Sequence, residues 1–238
     1  MQSKAVLYLI PTPISTEDTS HGRILSVLPD IEVFICERIR TTRRWLRSII
    51  PDFDIDSRIF LEYDKHTNRF PWKEIRQYWQ QGKICGLTSE AGMPAIADPG
   101  YQVVASAHEN QILVHPLPGS NSIVLSLMAS GFDGNRFTFH GYFPSKAQEL
   151  RQAINRATAA VRQGYAQIFI ETPYRNTKTM SALLRHLPQD IHLSVSSAIG
   201  SSESRSVTQS VKQWKSTDYR YLDKVPAVFS LGAMGKRT

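Results

Sequence analysis

The chain has 238 residues, of which 41% are hydrophobic and 10% aromatic, a composition typical of a folded globular protein and not of a disordered chain. Its 28 Lys and Arg residues outnumber 21 Asp and Glu residues, and the resulting net charge of +7 favours a polyanionic partner. The longest apolar runs, such as IVLSLMA, are too short to span a bilayer, so no membrane association is expected.

The first half of the chain alternates between strand-like and helical patterns. The apolar runs AVLYLI, IEVFIC, RIFLEY, KICGLT and QILVHPL predict five strands. Between them, periodic patterns at 22–28, 40–50, 72–81 and 100–109 predict four helices. Strands that alternate with helices of this length favour a parallel sheet covered by helices. Two cysteines, Cys36 and Cys85, lie in these apolar runs, which predicts buried free thiols, no metal site and a cytoplasmic protein.

The second predicted helix carries a dense group of arginines. The segment ERIRTTRRWLRSIIP brings five arginines within ten residues, beside Trp45 and other apolar residues at helical spacing. One interpretation is a solvated helix face, as most charge runs are. The other is a helix that follows RNA phosphates, with Trp45 stacking on a base.

The second half is less regular. An apolar helix ends at Gly131, and helices are predicted at 145–163 and 175–187. Strands are predicted from RFTFHGYF, YAQIFIET, IHLSVSSA and PAVFSLGA. This pattern indicates a mixed sheet, so two α/β domains are expected, over 1–118 and 119–238.

Loops rich in Pro and Gly follow three of the predicted strands of the first half, with the sequences PTPIST, TSEAGMPAIADPG and PLPGSNS. In an open α/β sheet, ligands bind beyond the carboxyl ends of the strands. Neither G-x-G-x-x-G nor a phosphate loop with lysine is present. The loops suit a ligand such as adenosine that binds backbone N–H and C=O groups. The alternative interpretation is that the same sequences form three ordinary strand-to-helix turns.

Four motifs in order, TSEAGMPAIADPGY, LPGSNS, RFTFHGYFP and IFIETPYRN, resemble those of the tetrapyrrole methylase superfamily. Within it, the chain is most similar to the ribosomal RNA cytidine 2′-O-methyltransferases, whose basic helix matches CERIRTTRRWL. The resemblance implies two α/β domains with S-adenosylmethionine (SAM) in the cleft between them, a small-subunit ribosomal RNA acceptor and a homodimer. The cofactor-binding residues it implies are Pro11, Pro13, Ile14, Ala91, Gly92, Met93, Pro94, Ile96, Asp98, Ser120, Asn121, Ser122, Glu171 and Thr172. The RNA-binding candidates are Glu37, Arg40, Arg43 and Arg44.

The chain also departs from the family pattern. Ser15 stands where the first loop of the family has Gly, Met93 replaces a loop threonine, and Arg38 and Ile39 replace Asp and Thr in the basic helix. SSAIGSSES stands where R-E-L-T-K is expected. Two other functions therefore stay open: a methylase of tetrapyrroles or other small molecules, and a non-catalytic SAM- or RNA-binding module. The candidates for a general base, none of which the sequence singles out, are Glu37, His66, Glu90, Asp98 and Glu171.

Overall fold

The computed structural model describes residues 5–19, 22–63, 69–98 and 100–234. The chain divides into two compact units, Met1–Asn121 and Ser122–Thr238, whereas the sequence predicts a boundary between residues 118 and 119. Each unit contains one five-stranded sheet. No helix within the described ranges is long and apolar enough to cross a membrane.

The first unit is an all-parallel sheet with the strand order β3-β2-β4-β1-β5. Its strands are β1 (Val6–Ile10), β2 (Val33–Cys36), β3 (Ile59–Glu62), β4 (Ile84–Thr88) and β5 (Leu113–Pro116). Its helices are α1 (Gly22–Val27), α2 (Ile39–Ile49), α3 (Trp72–Gln80) and α4 (Tyr101–Glu109). All nine elements lie where the hydrophobic periodicity predicts them, and the parallel sheet is confirmed.

Two apolar clusters hold the first sheet between its helices. One contains Leu7, Ile35 and Leu87 from the strands with Ile75 and Trp79 from α3. The other joins Ile10 and Phe34 to the buried residues of α1 and α2. Because β1, β2 and β4 are covered on both faces, the strand ends are left as the accessible part of the sheet.

The second unit is a mixed sheet with the order β6-β7-β10-β8-β9, in which only the β6–β7 pair is parallel. Its strands are β6 (Phe137–Tyr142), β7 (Ala166–Glu171), β8 (His192–Ser197), β9 (Arg205–Ser210) and β10 (Ala227–Gly232). Its helices are α5 (Ser122–Ser130), α6 (Ala147–Arg162), α7 (Asn176–His186) and α8 (Val211–Trp214). The two-domain α/β class predicted from the sequence is therefore confirmed.

The sequence does not predict β9 and the short helix α8. β9 reads RSVTQS, and as an edge strand it pairs only with β8, so its residues carry little of the apolar signal that marks a strand. Ser210 then caps α8 by accepting a hydrogen bond from the backbone N–H of Gln213. The side chain of Gln213 in turn accepts a hydrogen bond from the backbone N–H of Ser210. Buried Trp214 anchors this turn by donating its indole N–H to the carbonyl of Leu193 at 2.7 Å.

Candidate active site

The loops that follow β1 and β4 are joined by their backbones. Because β1 and β4 are neighbours in the sheet, their carboxyl ends lie side by side. Thr12 and Gly92 donate their N–H groups to each other's carbonyls, both at 3.0 Å. The Thr12 hydroxyl also donates to the carbonyl of Ser89, and the Ser89 hydroxyl donates to that of Gly92. These four bonds hold the two loops in one conformation.

The loop that follows β5 packs against the same place. A Cβ atom on Gly119 would lie 2.3 Å from the Cβ of Pro11, so only glycine fits there. A Cβ on Gly92 would lie 3.3 Å from Ile14 and 3.7 Å from the Ser120 carbonyl. The side-chain amide of Asn121 donates to the Met93 sulfur at 3.5 Å. Together these contacts bring six predicted cofactor residues to one place: Pro11, Ile14, Gly92, Met93, Ser120 and Asn121.

The β4 loop has an unusual backbone. Gly92 has a φ of +78°, and two residues with side chains, Ala95 and Ala97, have φ values of +66° and +58°. A non-glycine residue in this region costs of order 1 kcal/mol, and such residues cluster at ligand sites. Ile96 between them is 45% exposed, which leaves an apolar side chain at the surface of the loop.

A partly buried carboxyl group ends this loop. Asp98 accepts hydrogen bonds on one oxygen from the hydroxyl of Tyr63 at 3.1 Å and from the backbone N–H of Gly100 at 2.6 Å. Burial, and then a hydrogen bond with the carboxyl of Glu37, raises the pKa of Asp98 to about 7. Burial also raises the pKa of Tyr63, so its hydroxyl stays a donor. Glu37 follows β2, Tyr63 follows β3, and Asp98 lies in the loop after β4. The ends of these strands therefore bring Glu37, from the predicted RNA-binding set, to Asp98, from the predicted cofactor-binding set.

Other predicted site residues lie elsewhere or outside the described ranges. Pro13, Ala91 and Pro94 belong to the β1 and β4 loops, and His66 lies outside the described residues. Ser122 begins α5 in the second unit, and Glu171 and Thr172 follow β7 there. The buried carboxylate of Glu171 accepts hydrogen bonds from the Thr172 backbone at 2.8 Å and from the Thr179 hydroxyl at 2.7 Å. It also pairs with Arg175 at 3.2 Å.

The arginines of α2 line an open groove of about 670 Å³, which we call the arginine groove; its lining residues are Ile39, Arg40, Arg43, Arg44, Arg47 and Glu62. Glu62 accepts a hydrogen bond from the Ile39 N–H at 2.8 Å, which fixes the start of α2. Arg43 forms an ion pair with Asp56 and lies over the ring of Phe60. Among the described residues, Arg40, Arg44 and Arg47 have no carboxylate partner, so their charges are available to a ligand.

Trp45 in α2 and Glu37, which precedes this helix, differ from the sequence-based interpretation. Trp45 is not presented to a base: it packs against the cluster that contains Ile10 and Phe34, and its indole N–H is buried. Glu37, grouped with the arginines in the RNA-binding set, is 9% exposed and interacts with Asp98 instead. The apolar spacing of Trp45 with Leu46 and Ile49 indicated the buried face of the helix.

Several residues of the site are absent from the predicted set. Thr12 and Gly119 lie inside the loops that the sequence marks, but their roles depend on backbone pairing and close packing, which have no residue-level pattern. Tyr63 directly follows the third strand, so its position at a carboxyl end was the available signal. Arg47 has no carboxylate partner in the part of the chain that the structure describes, which its spacing along the helix cannot reveal.

The comparisons with known proteins agree with this architecture. Solved structures with the same fold include diphthine synthase, with a TM-score of 0.66, 12% identity and coverage of 96% of this chain and 90% of that one. The methyltransferase CobJ aligns with a TM-score of 0.60 and 12% identity over 98% of this chain and 95% of its own. No family model matches the chain.

Relatives by sequence are named ribosomal RNA small subunit methyltransferase I. The Helicobacter pylori protein is 32% identical over 200 residues, which are 79% of this chain and 68% of the relative. The Halalkalibacterium halodurans protein is 33% identical over 181 residues, 76% of this chain but 60% of the relative, so less than two thirds of that protein is matched. The Escherichia coli O157:H7 protein is 33% identical over 173 residues, 73% of this chain and 58% of the relative.

The two α/β units have the class of fold seen in the solved structures of the methyltransferase CobJ and of diphthine synthase. Within that class, the chain belongs to the ribosomal RNA small subunit methyltransferase I family. Membership of a family of methyltransferases agrees with the enzyme class inferred from the sequence and implies a methyl donor.

Proposed function

We propose that the protein is a SAM-dependent methyltransferase that methylates the ribose 2′-hydroxyl of a cytidine in small-subunit ribosomal RNA. The observation that carries the proposal is the meeting of the three loops at Gly92, between Ile14 and the Ser120 carbonyl. Relatives named as methyltransferases of this RNA support the acceptor.

The chemistry of the loops fits SAM. A Cβ on Gly92 would narrow the space between Ile14 and Ser120, so the glycine keeps the backbone open to a ligand. The residues that would hold the adenosyl and methionyl parts are small or apolar and offer mainly backbone groups, as the neutral adenosine edge requires. When bound, SAM supplies an electrophilic methyl group on a sulfonium. The task of the protein is then to hold the acceptor oxygen in line with it.

The acceptor RNA would contact the arginine groove. Arg40, Arg44 and Arg47 are exposed on one helix and have no ion pair among the described residues. Three unpaired guanidinium groups on consecutive turns suit a row of phosphates, whose oxygens accept paired hydrogen bonds from arginine. Arg43 is held by Asp56 and Phe60, so we expect it to shape the groove and contribute less to the salt dependence of binding.

A hydroxyl acceptor must lose a proton, and we infer that the carboxyl group of Asp98 receives it. A group with a pKa of about 7 is ionised often enough at neutral pH and still basic enough to take the proton. Tyr63 and Gly100 hold this carboxyl in place, and Glu37 can share the proton that it gains. Activity should therefore rise with pH through about 7.

Further parts of the proposal follow from the family resemblance. We infer a homodimer, for which the exposed Val124 and Met128, one turn apart on α5, offer an apolar surface. An acceptor in ribosomal RNA implies a cytoplasmic protein. Ser122, Glu171 and Thr172 of the second unit are also proposed to bind SAM. The proposed domains are residues 1–118 and 119–238.

The test combines binding with product analysis. Calorimetry should detect SAM binding with a dissociation constant of micromolar or lower, about 8 kcal/mol. Incubation with SAM and small ribosomal subunits should add one methyl group to a cytidine ribose, seen by mass spectrometry of nuclease digests. Gly92→Val should abolish both signals, while Gly22→Ala, where an added Cβ has no neighbour within 4 Å, should leave them unchanged. A methylated base, or SAM binding with no methylated RNA, would overturn the proposed acceptor.

A further inference from the structure

Two exposed tyrosines lie at one edge of the second sheet. β6 and β7 are parallel, so their carboxyl ends are at the same edge, and Tyr142 at the end of β6 is in register with Ile170 of β7. Tyr174 follows β7 in the turn Pro173–Arg175. Tyr142 is 57% exposed and Tyr174 is 71% exposed. Neither ring has a hydrogen bond or an aromatic contact with any residue that the structure describes.

An irregularity in β6 determines which way Tyr142 faces. Phe139 pairs with Ile168 and Tyr142 with Ile170, so β6 has one residue more than β7 in this interval, and Gly141 in it has a φ of +71°. Such a bulge turns the following side chain to the opposite face of the sheet. As a result Tyr142 is exposed, while Phe143 turns inward and stacks on Phe169 with ring centroids 3.9 Å apart.

The segment that carries Tyr174 is held firmly although its ring is exposed. The guanidinium of Arg175 pairs with the buried carboxylate of Glu171 at 3.2 Å and donates to the carbonyl of Pro144 at 3.4 Å. Pro144 is two residues after Tyr142, so this bond ties the backbones beside the two tyrosines to each other. A pair of rings on fixed backbones can bind a planar partner with little loss of conformational entropy.

The charges around the two rings favour an anionic partner. The segments 142–146 and 172–178 contain three cations: Arg175 pairs with Glu171, Lys146 pairs with exposed Glu149 at 3.2 Å, and Lys178 has no carboxylate partner among the described residues. Lys146 and Lys178 are exposed. Proteins that bind unpaired nucleic acid combine exposed aromatic rings with cations. The bases stack on the rings, and the cations contact the phosphate backbone. Exposed tyrosines also occur in contacts between protein chains, but lysines are depleted there, so the lysines favour the nucleic acid.

We propose that Tyr142 and Tyr174 form a stacking platform for unpaired bases of the RNA substrate, with Lys178 at its phosphates and Lys146 exchanging its exposed partner Glu149 for a phosphate. The proposal rests on the proposed function, because it concerns the same RNA, but it assigns a separate contact on the second unit. An unpaired segment is required because bases inside a duplex do not offer their faces to side chains.

The experiment measures binding of a short single-stranded RNA and of a duplex of the same sequence by fluorescence anisotropy. Tyr142→Ala and Tyr174→Ala are each expected to weaken binding of the single strand about tenfold and to leave the duplex unaffected. Tyr142→Phe and Tyr174→Phe, which keep the ring, should bind as the unchanged protein does. Tyr165→Ala is the matched control: Tyr165 is 39% exposed at the opposite end of β7, where Arg136 lies over its ring.

Three outcomes separate the possibilities. If both alanine variants bind the single strand normally while the unchanged protein methylates ribosomal RNA, the platform is wrong and the proposed function stands. If the variants change only the monomer–dimer equilibrium in analytical ultracentrifugation, the tyrosines belong to a contact with a second copy, and the platform is again wrong. If the unchanged protein binds SAM but neither RNA, the proposed function and the platform fail together.

Discussion

Gly119 lies so close to Pro11 that an added Cβ would come within 2.3 Å of the proline Cβ and 2.6 Å of its Cγ. This contact joins the loop after β5 to the loop after β1, and the Thr12–Gly92 backbone pair joins the latter to the loop after β4. Three loops that are far apart in sequence are therefore fixed at one place by backbone and glycine contacts.

Gly119→Ala should force the β1 and β5 loops apart. Overpacking of this kind costs about 1–3 kcal/mol, and part of that cost should appear as weaker SAM binding because Ser120 moves with the loop. Urea unfolding gives the stability change and calorimetry the affinity. Gly22→Ala, in open space at the start of α1, is the control. Unchanged SAM affinity in Gly119→Ala would show that the β5 loop does not help to form the cofactor site.

The contrast between the two sheets shows how far the sequence could predict the fold. In the first unit, buried strands such as β2 read as continuous apolar runs, and each was recognised. In the second unit, β9 is half exposed and polar, so its pairing with β8 is visible only in three dimensions. Local periodicity therefore predicts elements with a buried face and misses edge strands.

The candidate site was predicted to the level of loops and less well to the level of side chains. Gly92 was singled out because Pro and Gly mark a loop with a fixed backbone, whereas Met93 was proposed through the family resemblance. Glu37 was proposed for the RNA surface because it matches the basic-helix motif of the family, but its position directly after β2 brings it to Asp98. Partner choice among charged residues depends on tertiary contacts, as the pairing of Arg43 with Asp56 also demonstrates.

The unpaired arginines should dominate the salt dependence of RNA binding. Replacing Arg40 and Arg44 together by glutamine should reduce the slope of log affinity against log salt by about 1.4 for a single-stranded RNA, if each neutralises one phosphate. Arg43→Gln should change the slope less, because its guanidinium is already paired with Asp56. A double replacement of the exposed Arg76 and Arg185 removes the same charge from other helices and should leave the slope unaltered. Equal slopes for all variants would make α2 a solvated helix face.

The buried carboxylate of Glu171 should depend on Arg175 for its stability. Arg175→Met removes the partner of a side chain that is 0% exposed, and we expect a loss of about 2–4 kcal/mol in the free energy of unfolding. Thr172 and Thr179 would still donate to the carboxylate, which limits the loss. Arg220→Met breaks the exposed pair with Asp218 and should have no measurable effect. A loss as small as that of the Arg220 variant would contradict a structural role for the pair.

The carboxyl pair of Glu37 and Asp98 should make the stability of the protein depend on pH. Burial and the Glu37 carboxyl raise the pKa of Asp98 from 3.8 to about 7, so the folded protein binds more protons than the unfolded chain between these values. Stability contributed by the protonated form is then complete below pH 4 and is lost as the pH rises through about 7.

Asp98→Asn cannot ionise and should remove this dependence. The free energy of unfolding of the unchanged protein, relative to that of the variant, should fall steadily as the pH is raised through this window, as measured by urea unfolding. Asp52→Asn, at an exposed position after α2, is the control and should keep the pH dependence of the unchanged protein. If the difference in the free energy of unfolding between the Asp98 variant and the unchanged protein did not change with pH, the pKa of Asp98 would not be raised in the folded protein. That result would also contradict the proposal that Asp98 accepts the proton of the acceptor hydroxyl at neutral pH.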